Sequence, residues 1–304
     1  MNKTITKYCL LCLISLLFSC DDGDFNVPSF DFDGLSINDC GDLVLHKITS
    51  GSTESLIIYL EEDNTNDIFF KTTITDKEYV ISKGGEHSMF YRIFNGDVDA
   101  NYFCQDIPSA TPTVSEEWLG DGTLFITNTI SYDDKDGVPT SIEKVIDPNT
   151  GTWLDTDGDG YPDFIDDDDD GDGAPTIDED IDITLSPPAS TGDPVTTDTD
   201  GDGIPNYLDT DDDNDGEPSI TESKGDDQNN NTIVDYLDIA TINPIDPREP
   251  ITNNYTQSYS MYFEFSTLSL TSETSVINYP DGYIYGTKTG DFESSELPEL
   301  PQTE

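Results

Sequence analysis

The chain has 304 residues, room for two domains, with 65 Asp and Glu against 12 Lys and Arg and a formal net charge of −53. That balance excludes nucleic acid as a partner, because phosphate contacts need clustered Lys and Arg. Aromatic residues reach 10% and fall mostly outside the most acidic stretch, so the flanks can bury a core.

Lys3 and Lys7 precede the apolar run Tyr8 to Phe18. The run is too short to span a bilayer comfortably and reads as the apolar region of a signal peptide over residues 1–19. Its ending, Leu17-Phe18-Ser19-Cys20, resembles a bacterial lipobox. The resemblance implies that Cys20 becomes a lipidated first residue and that the membrane is a partner through its acyl chains. Asp21, Asp22 and Asp24 follow at once and resemble the acidic export tag of Bacteroidetes surface lipoproteins, which implies the outer face of the outer membrane, or failing export its periplasmic face. Cys9 and Cys12 would leave with the signal. Cys40 and Cys104 remain, and in an oxidising compartment two leftover cysteines suggest one disulfide.

Residues 20–40 read as an acidic tether and residues 41–131 as a β-domain. Leu43–Ile48, Ser55–Tyr59, Ile68–Ile74, Tyr79–Ile81 and Met89–Phe94 are short, β-branched or aromatic runs separated by Gly, Asn and Asp. Asp121-Gly122, between Glu117–Leu119 and Thr123–Thr127, predicts a hairpin turn. No stretch keeps a helical period. The expected fold is mainly β, an antiparallel sandwich-like domain interrupted by an irregular, loop-rich segment.

That segment spans residues 132–240. Between Asp155 and Asp238 it holds 29 acids against one base, Lys224. Asp155, Asp157, Asp159, Gly160, Asp163 and Asp166 stand at positions 1, 3, 5, 6, 9 and 12 of a twelve-residue loop, with the Tyr161 carbonyl at position 7. This is calcium-loop spacing: alternate side chains converge on one ion, and Gly permits the sharp turn at position 6. A second loop follows with Asp168, Asp170, Asp172, Ala174 (carbonyl), Thr176 and Glu179. The pair recurs 43 residues on. Its third loop has Asp198, Asp200, Asp202, Ile204 (carbonyl), Asn206 and Asp209. Its fourth has Asp211, Asp213, Asp215, Glu217 (carbonyl), Ser219 and Glu222. Degenerate loops flank the array: Asp134, Asp136, Thr140 and Glu143 with Tyr132 at position 1, and Asp227, Asn229, Asn231, Asp235 and Asp238 with Thr232 in place of Gly. A disordered acidic linker would not hold Gly, Pro and apolar residues at fixed offsets from its acids. An all-oxygen donor set without His or Cys favours calcium over zinc or magnesium, at four sites and up to six.

These loops resemble cysteine-free thrombospondin type 3 repeats of bacterial surface proteins. Pro162, Pro175, Pro205 and Pro218 at position 8, and single residues (Asp167, Thr210) between paired loops, set them apart from EF-hands, whose loops need flanking helices and a backbone bridge that proline cannot make.

Residues 241–252 form a Pro-punctuated linker. Within 253–304, Tyr259, Met261, Phe263 and Phe265 alternate, and Leu268 and Leu270 switch parity as a bulge would make them. Pro280-Asp281-Gly282 predicts a turn before Tyr283–Tyr285. The segment is too short to bury a core alone, so its strands are expected to join the N-terminal sheet. His46 and His87 stand singly, and no nucleophile elbow or phosphate loop occurs, which argues against an enzyme. Two readings remain: a calcium-stiffened spacer on a surface lipoprotein, or an adhesin whose β-domain binds an extracellular protein or glycan through aromatics such as Tyr91, Tyr102 and Trp118.

Overall fold

The computed structural model describes residues 30–40, 44–61, 71–105, 109–179, 197–222, 225–241 and 249–298. The apolar run Tyr8–Phe18, Cys20 and the acids after it lie outside these residues. The chain divides into residues 1–33 and 34–304, and the second unit holds the strands. Among the described residues no helix is long and apolar enough to cross a membrane.

The fold is mainly β, as expected. Nine strands form one antiparallel sheet: β1 (Asn38–Cys40), β2 (Val44–Ile48), β3 (Glu54–Tyr59), β4 (Ile74–Ile81), β5 (Ser88–Phe94), β6 (Val114–Asp133), β7 (Tyr255–Thr271), β8 (Val276–Tyr279) and β9 (Tyr283–Ser294). The path runs β1-β2-β3-β5-β6-β7-β8, with β4 beside β6 and β9 beside β7. Two strands are long enough to serve two neighbours in turn. β6 pairs with β5 through Leu119 and with β4 from Gly122, while β7 pairs with β8 over Leu268–Thr271 and with β9 over Tyr255–Phe265. The C-terminal strands therefore complete the N-terminal sheet, joined along Leu119–Asp133.

A fold line crosses the long strands. The β6–β7 register shifts between Thr123 and Leu124, where Ser266 is the extra residue on β7, and this switches burial from Met261, Phe263 and Phe265 to Leu268 and Leu270. Backbones crowd there. A Cβ on Gly122 would strike the Thr267 carbonyl, and one on Gly282 would sit 2.7 Å from the Phe265 carbonyl oxygen. The sheet is not closed into a barrel, and side chains rather than a ladder tie β9 to β1, β2 and β3. Tyr285 of β9 donates to the Leu56 carbonyl of β3 (3.1 Å), Lys47 lies over the Tyr285 ring, and Lys288 pairs with Asp39 at 2.7 Å.

Two sequence expectations fail here, and a third, the turn at Pro280-Asp281-Gly282, holds without reversing the chain. Asp121-Gly122 is not a hairpin turn: β6 runs straight through it, because the glycine answers close backbone approach rather than chain reversal. Pro280-Asp281-Gly282 does turn, with the Gly282 N–H bonded to the Tyr279 carbonyl, but β8 and β9 continue in one direction along β7. The Ile68–Ile74 strand begins only at Ile74; Lys71–Thr73 are not extended, and residues 62–70 lie outside the described set.

Buried aromatics fill the interior. Tyr91 and Trp118 stack at 4.8 Å; the Tyr91 hydroxyl donates to Glu54 and the Trp118 indole to Ser275. Each such ring contributes about 1.5–3 kcal/mol by leaving water, and the polar tips are satisfied. Both are thus core residues rather than exposed glycan contacts. Tyr102 packs partly buried against a satellite core of Ile57, Phe94, Val98 and Phe103, beside the Cys40–Cys104 disulfide with its Cα atoms 5.1 Å apart. Replacing Gly122 with Ala is expected to cost about 1–3 kcal/mol by overpacking the fold line; an unchanged denaturation midpoint would refute its role.

Asp133 pairs with Thr256. The acidic segment therefore leaves the end of β6 and returns to the adjacent start of β7.

Candidate metal centre

Packing seats the start of this excursion on the sheet. Tyr132 at the end of β6 and Tyr255 at the start of β7 form a cluster with Phe164 and Ile165, which are fully buried. The Lys144 ammonium lies over the rings of Tyr132, Trp153 and Phe164 at 5.6, 5.4 and 5.0 Å, and burial lowers its pKa. Polar ties add to the seat: Tyr161 donates to the Ser295 carbonyl (2.9 Å) and the Asn254 N–H to Asp167 (2.9 Å).

Each loop closes in the same way. The position-9 N–H bonds the carbonyl just before the loop: Asp163 to Leu154, Thr176 to Asp167, Asn206 to Thr197, Ser219 to Thr210 and Asp235 to Asp226. A short 3-10 turn follows each, as at Asp163–Ile165 and Ser219–Thr221. The Pro at position 8 ends the loop without needing an N–H donor. Within the loop, acids accept from backbone N–H groups two residues on. Asp157 accepts from Asp159 (2.9 Å), Asp159 from Tyr161 (2.7 Å), Asp200 from Asp202 (2.9 Å) and Asp213 from Asp215 (3.1 Å). Gly160, Gly203 and Gly216 turn with φ of +107°, +101° and +98°. Asp170 and Asp213 have one oxygen held by backbone and the other without a donor, whereas Asp198 has both oxygens engaged by Gly201 and Gly203, and Asp200 by Asp202 and the Asn214 amide.

Among the described residues the acids gather into five groups whose ligand oxygens lie within 4.8 Å of one another: Asp155, Asp157 and Asp159; Asp170, Asp172, Glu179 and Asp212; Asp198, Asp200 and Asp202; Asp211, Asp213 and Asp215; and Asp134, Asp136 and Glu143. The position-12 glutamates complete the picture. Glu179 and Glu222 are 5% and 1% exposed, and neither oxygen of either has a hydrogen-bond donor. Burial, then Asp170, Asp172 and Asp212, pushes Glu179 up to about 11; burial, then Asp213 and Asp215, pushes Glu222 up to about 8. Asp166 rises to about 8 and Asp168 to about 7, with burial the largest cause. Burying like charges side by side costs several kcal/mol per ion unless a cation compensates. The donor set is all oxygen, so these residues fit a hard divalent ion.

Position 9 also carries a structural task. Asp163 accepts from the Thr156 N–H (2.8 Å) and hydroxyl (3.0 Å), Asn206 from the Thr199 N–H (3.0 Å), Thr176 from the Asp169 N–H (3.1 Å) and Ser219 from the Asp212 N–H (3.0 Å). These side chains clasp position 2, and Asp163 stands outside the five groups. Asp166 and Asp209, at position 12, accept from the N–H of Asp168 and Asp211 and so couple the loops of each pair.

The two degenerate loops part company. Asp134, Asp136 and Glu143 converge and are buried. In the last loop the Asp238 carboxylate accepts from the side-chain amides of Asn229 (2.6 Å) and Asn231 (2.8 Å), so amide hydrogens supply the positive charge there. Thr232 takes a φ of +79° where its counterparts are Gly, a strained state for a β-branched residue. The variant carrying Asn229→Asp, Asn231→Asp and Thr232→Gly is expected to bind one more ion than the parent by calorimetry.

Sequence reasoning missed Asp169 and Asp212, both at position 2 and both 1% exposed. Asp212 joins a group whose other members come from the second loop. A signal was present: position 2 is Thr156 and Thr199 in the first loop of each pair, but Asp in the second.

Comparison with family models, with curated proteins and with solved structures finds no match.

Proposed function

We propose that the segment between β6 and β7 is a calcium-binding array that is ordered by the ions it holds, carried on a surface lipoprotein. The observation that supports it most is the set of buried carboxylate oxygens without donors, Glu179 and Glu222 above all, in groups within 4.8 Å. At neutral pH such acids can ionise together only against a cation. Calcium is favoured by oxygen-only donors, by loops that present alternate acids, and by extracellular concentrations that suit sites of about 10⁻⁴–10⁻³ M. The ions would pin successive loops and offset the self-repulsion of a chain with net charge −53.

Because Asp133 and Thr256 are paired neighbours, a lobe on the end of the sandwich fits the array better than a spacer in series. Tyr91 and Trp118 lie in the core, which leaves the half-buried Tyr102 alone of the three aromatics on which the adhesin reading leaned. The anchor, through lipid on Cys20, follows from the resemblance of Leu17–Cys20 to a lipobox. Titration calorimetry of the intact chain tests the array. Several ions should bind, and Asp159→Ala should remove one; no calcium uptake, or an unchanged count in Asp159→Ala, refutes the respective claim.

A further inference from the structure

We infer that Asp134, Asp136 and Glu143 hold a further calcium ion together with Asp169 of the second loop, and that this ion clamps the array to the end of β6. The inference rests on the calcium reading above and extends it to a loop whose sequence lacks an acid at position 1.

The first three residues repeat the backbone pattern of the regular loops. Asp134 accepts from the Asp136 N–H (3.3 Å) and Asp136 from the Val138 N–H (2.8 Å), while Gly137 turns at φ +111°. That leaves Oδ2 of Asp134, Oδ2 of Asp136 and both oxygens of Glu143 buried without a donor. Position 1 is Tyr132, whose ring is committed to the packing with Phe164 and Tyr255. The missing charge comes from another loop. Asp169 is 1% exposed, and neither of its carboxylate oxygens has a hydrogen-bond partner. Its backbone is fixed by the clasp from Thr176 at 3.1 Å. Burial first, then Asp163, Glu143, Asp136 and Asp134, hold its carboxylate well above the usual range, and it stands outside the 4.8 Å group that the last three form. Asp163 is itself engaged by Thr156.

The repeat provides a second instance. Shifted by 43 residues, Asp169 becomes Asp212, whose carboxylate lies within 4.8 Å of Asp170, Asp172 and Glu179. Those three occupy positions 3, 5 and 12 of the second loop, as Asp134, Asp136 and Glu143 do in the degenerate one. The second-loop site is thus completed by the position-2 acid of the next loop of the same type, and the degenerate loop stands in the same relation to Asp169. The contact is a staple between loops, and at the degenerate loop it joins the array to the strand that leads into it.

Native mass spectrometry of the intact chain in calcium tests this by counting ions. E143Q and D169N should each carry one ion fewer than the parent, and the double variant should also carry one fewer. A full count in E143Q, or two ions lost in the double variant, overturns the shared site. Variants that fold poorly are bypassed by amide exchange on the parent, where Asp136, Val138 and Lys144 should become protected on adding calcium; no change there overturns the proposal. If E143Q leaves the count intact while D159A lowers it, only this inference fails. A parent that binds no ion overturns the calcium reading as well.

Discussion

Stripping calcium with EGTA is expected to unfold the excursion between β6 and β7 while the sheet stays folded. A site of about 10⁻⁴–10⁻³ M facing about 1 mM calcium contributes roughly 0.4–1.4 kcal/mol, so five sites give roughly 2–7 kcal/mol. That is comparable to the whole stability of a typical domain. The excursion has little else to hold it. Its apolar packing is concentrated at the base, in Tyr132, Phe164, Ile165 and Tyr255, while Ile177, Ile204, Ile233 and Ile239 are exposed. The sheet has its own core of Leu56, Trp118, Phe263, Phe265 and Tyr285. Scattering should show a larger radius in EGTA, and protease should cut between residues 180 and 250 but spare the strands. An identical radius and cleavage pattern in the two states would rule the idea out.

The second large effect is a pH dependence that changes sign with calcium. In the chelated chain Glu179, Glu222 and Asp166 sit at about 11, 8 and 8, above the unfolded carboxylate values. The folded array then holds more protons than the unfolded one, so their contribution is present below about pH 4 and is lost as pH rises to about 8 for Glu222 and Asp166 and to about 11 for Glu179. Acidifying the chelated protein from pH 8 to 5 should therefore restore order. With calcium bound the same oxygens must be ionised, protons compete with the metal, and the same acidification should release ions. Trp153 packs against Phe164 at the base of the array and reports the change by fluorescence, with the sheet residue Trp118 replaced by Phe. Parallel pH profiles with and without calcium would sink the claim.

The strands were legible because β-branched and aromatic runs leave few alternatives, and the parity switch after Phe265 even located the bulge. The fold line was misread at Asp121-Gly122. A glycine needed for close strand approach and one needed for a reversal look alike in one dimension. The loops were legible as loops, since ligand spacing is local. The clasp made by position 9 was not, because a carboxyl or hydroxyl that holds the Thr156 or Asp169 backbone has the same chemistry as a ligand. Asp169 and Asp212 act across loops, and only their restriction to the second loop of each pair hinted at it.

The pairing of Asp133 with Thr256 also fixes how tension would travel. A pull between the two ends of the polypeptide passes from β6 to β7 by shear along their ladder and bypasses everything from Asp134 to Asn254. The ion-rich lobe hangs beside the path of force. Changes within it leave the β6–β7 ladder from Leu119 to Asp133 as it is.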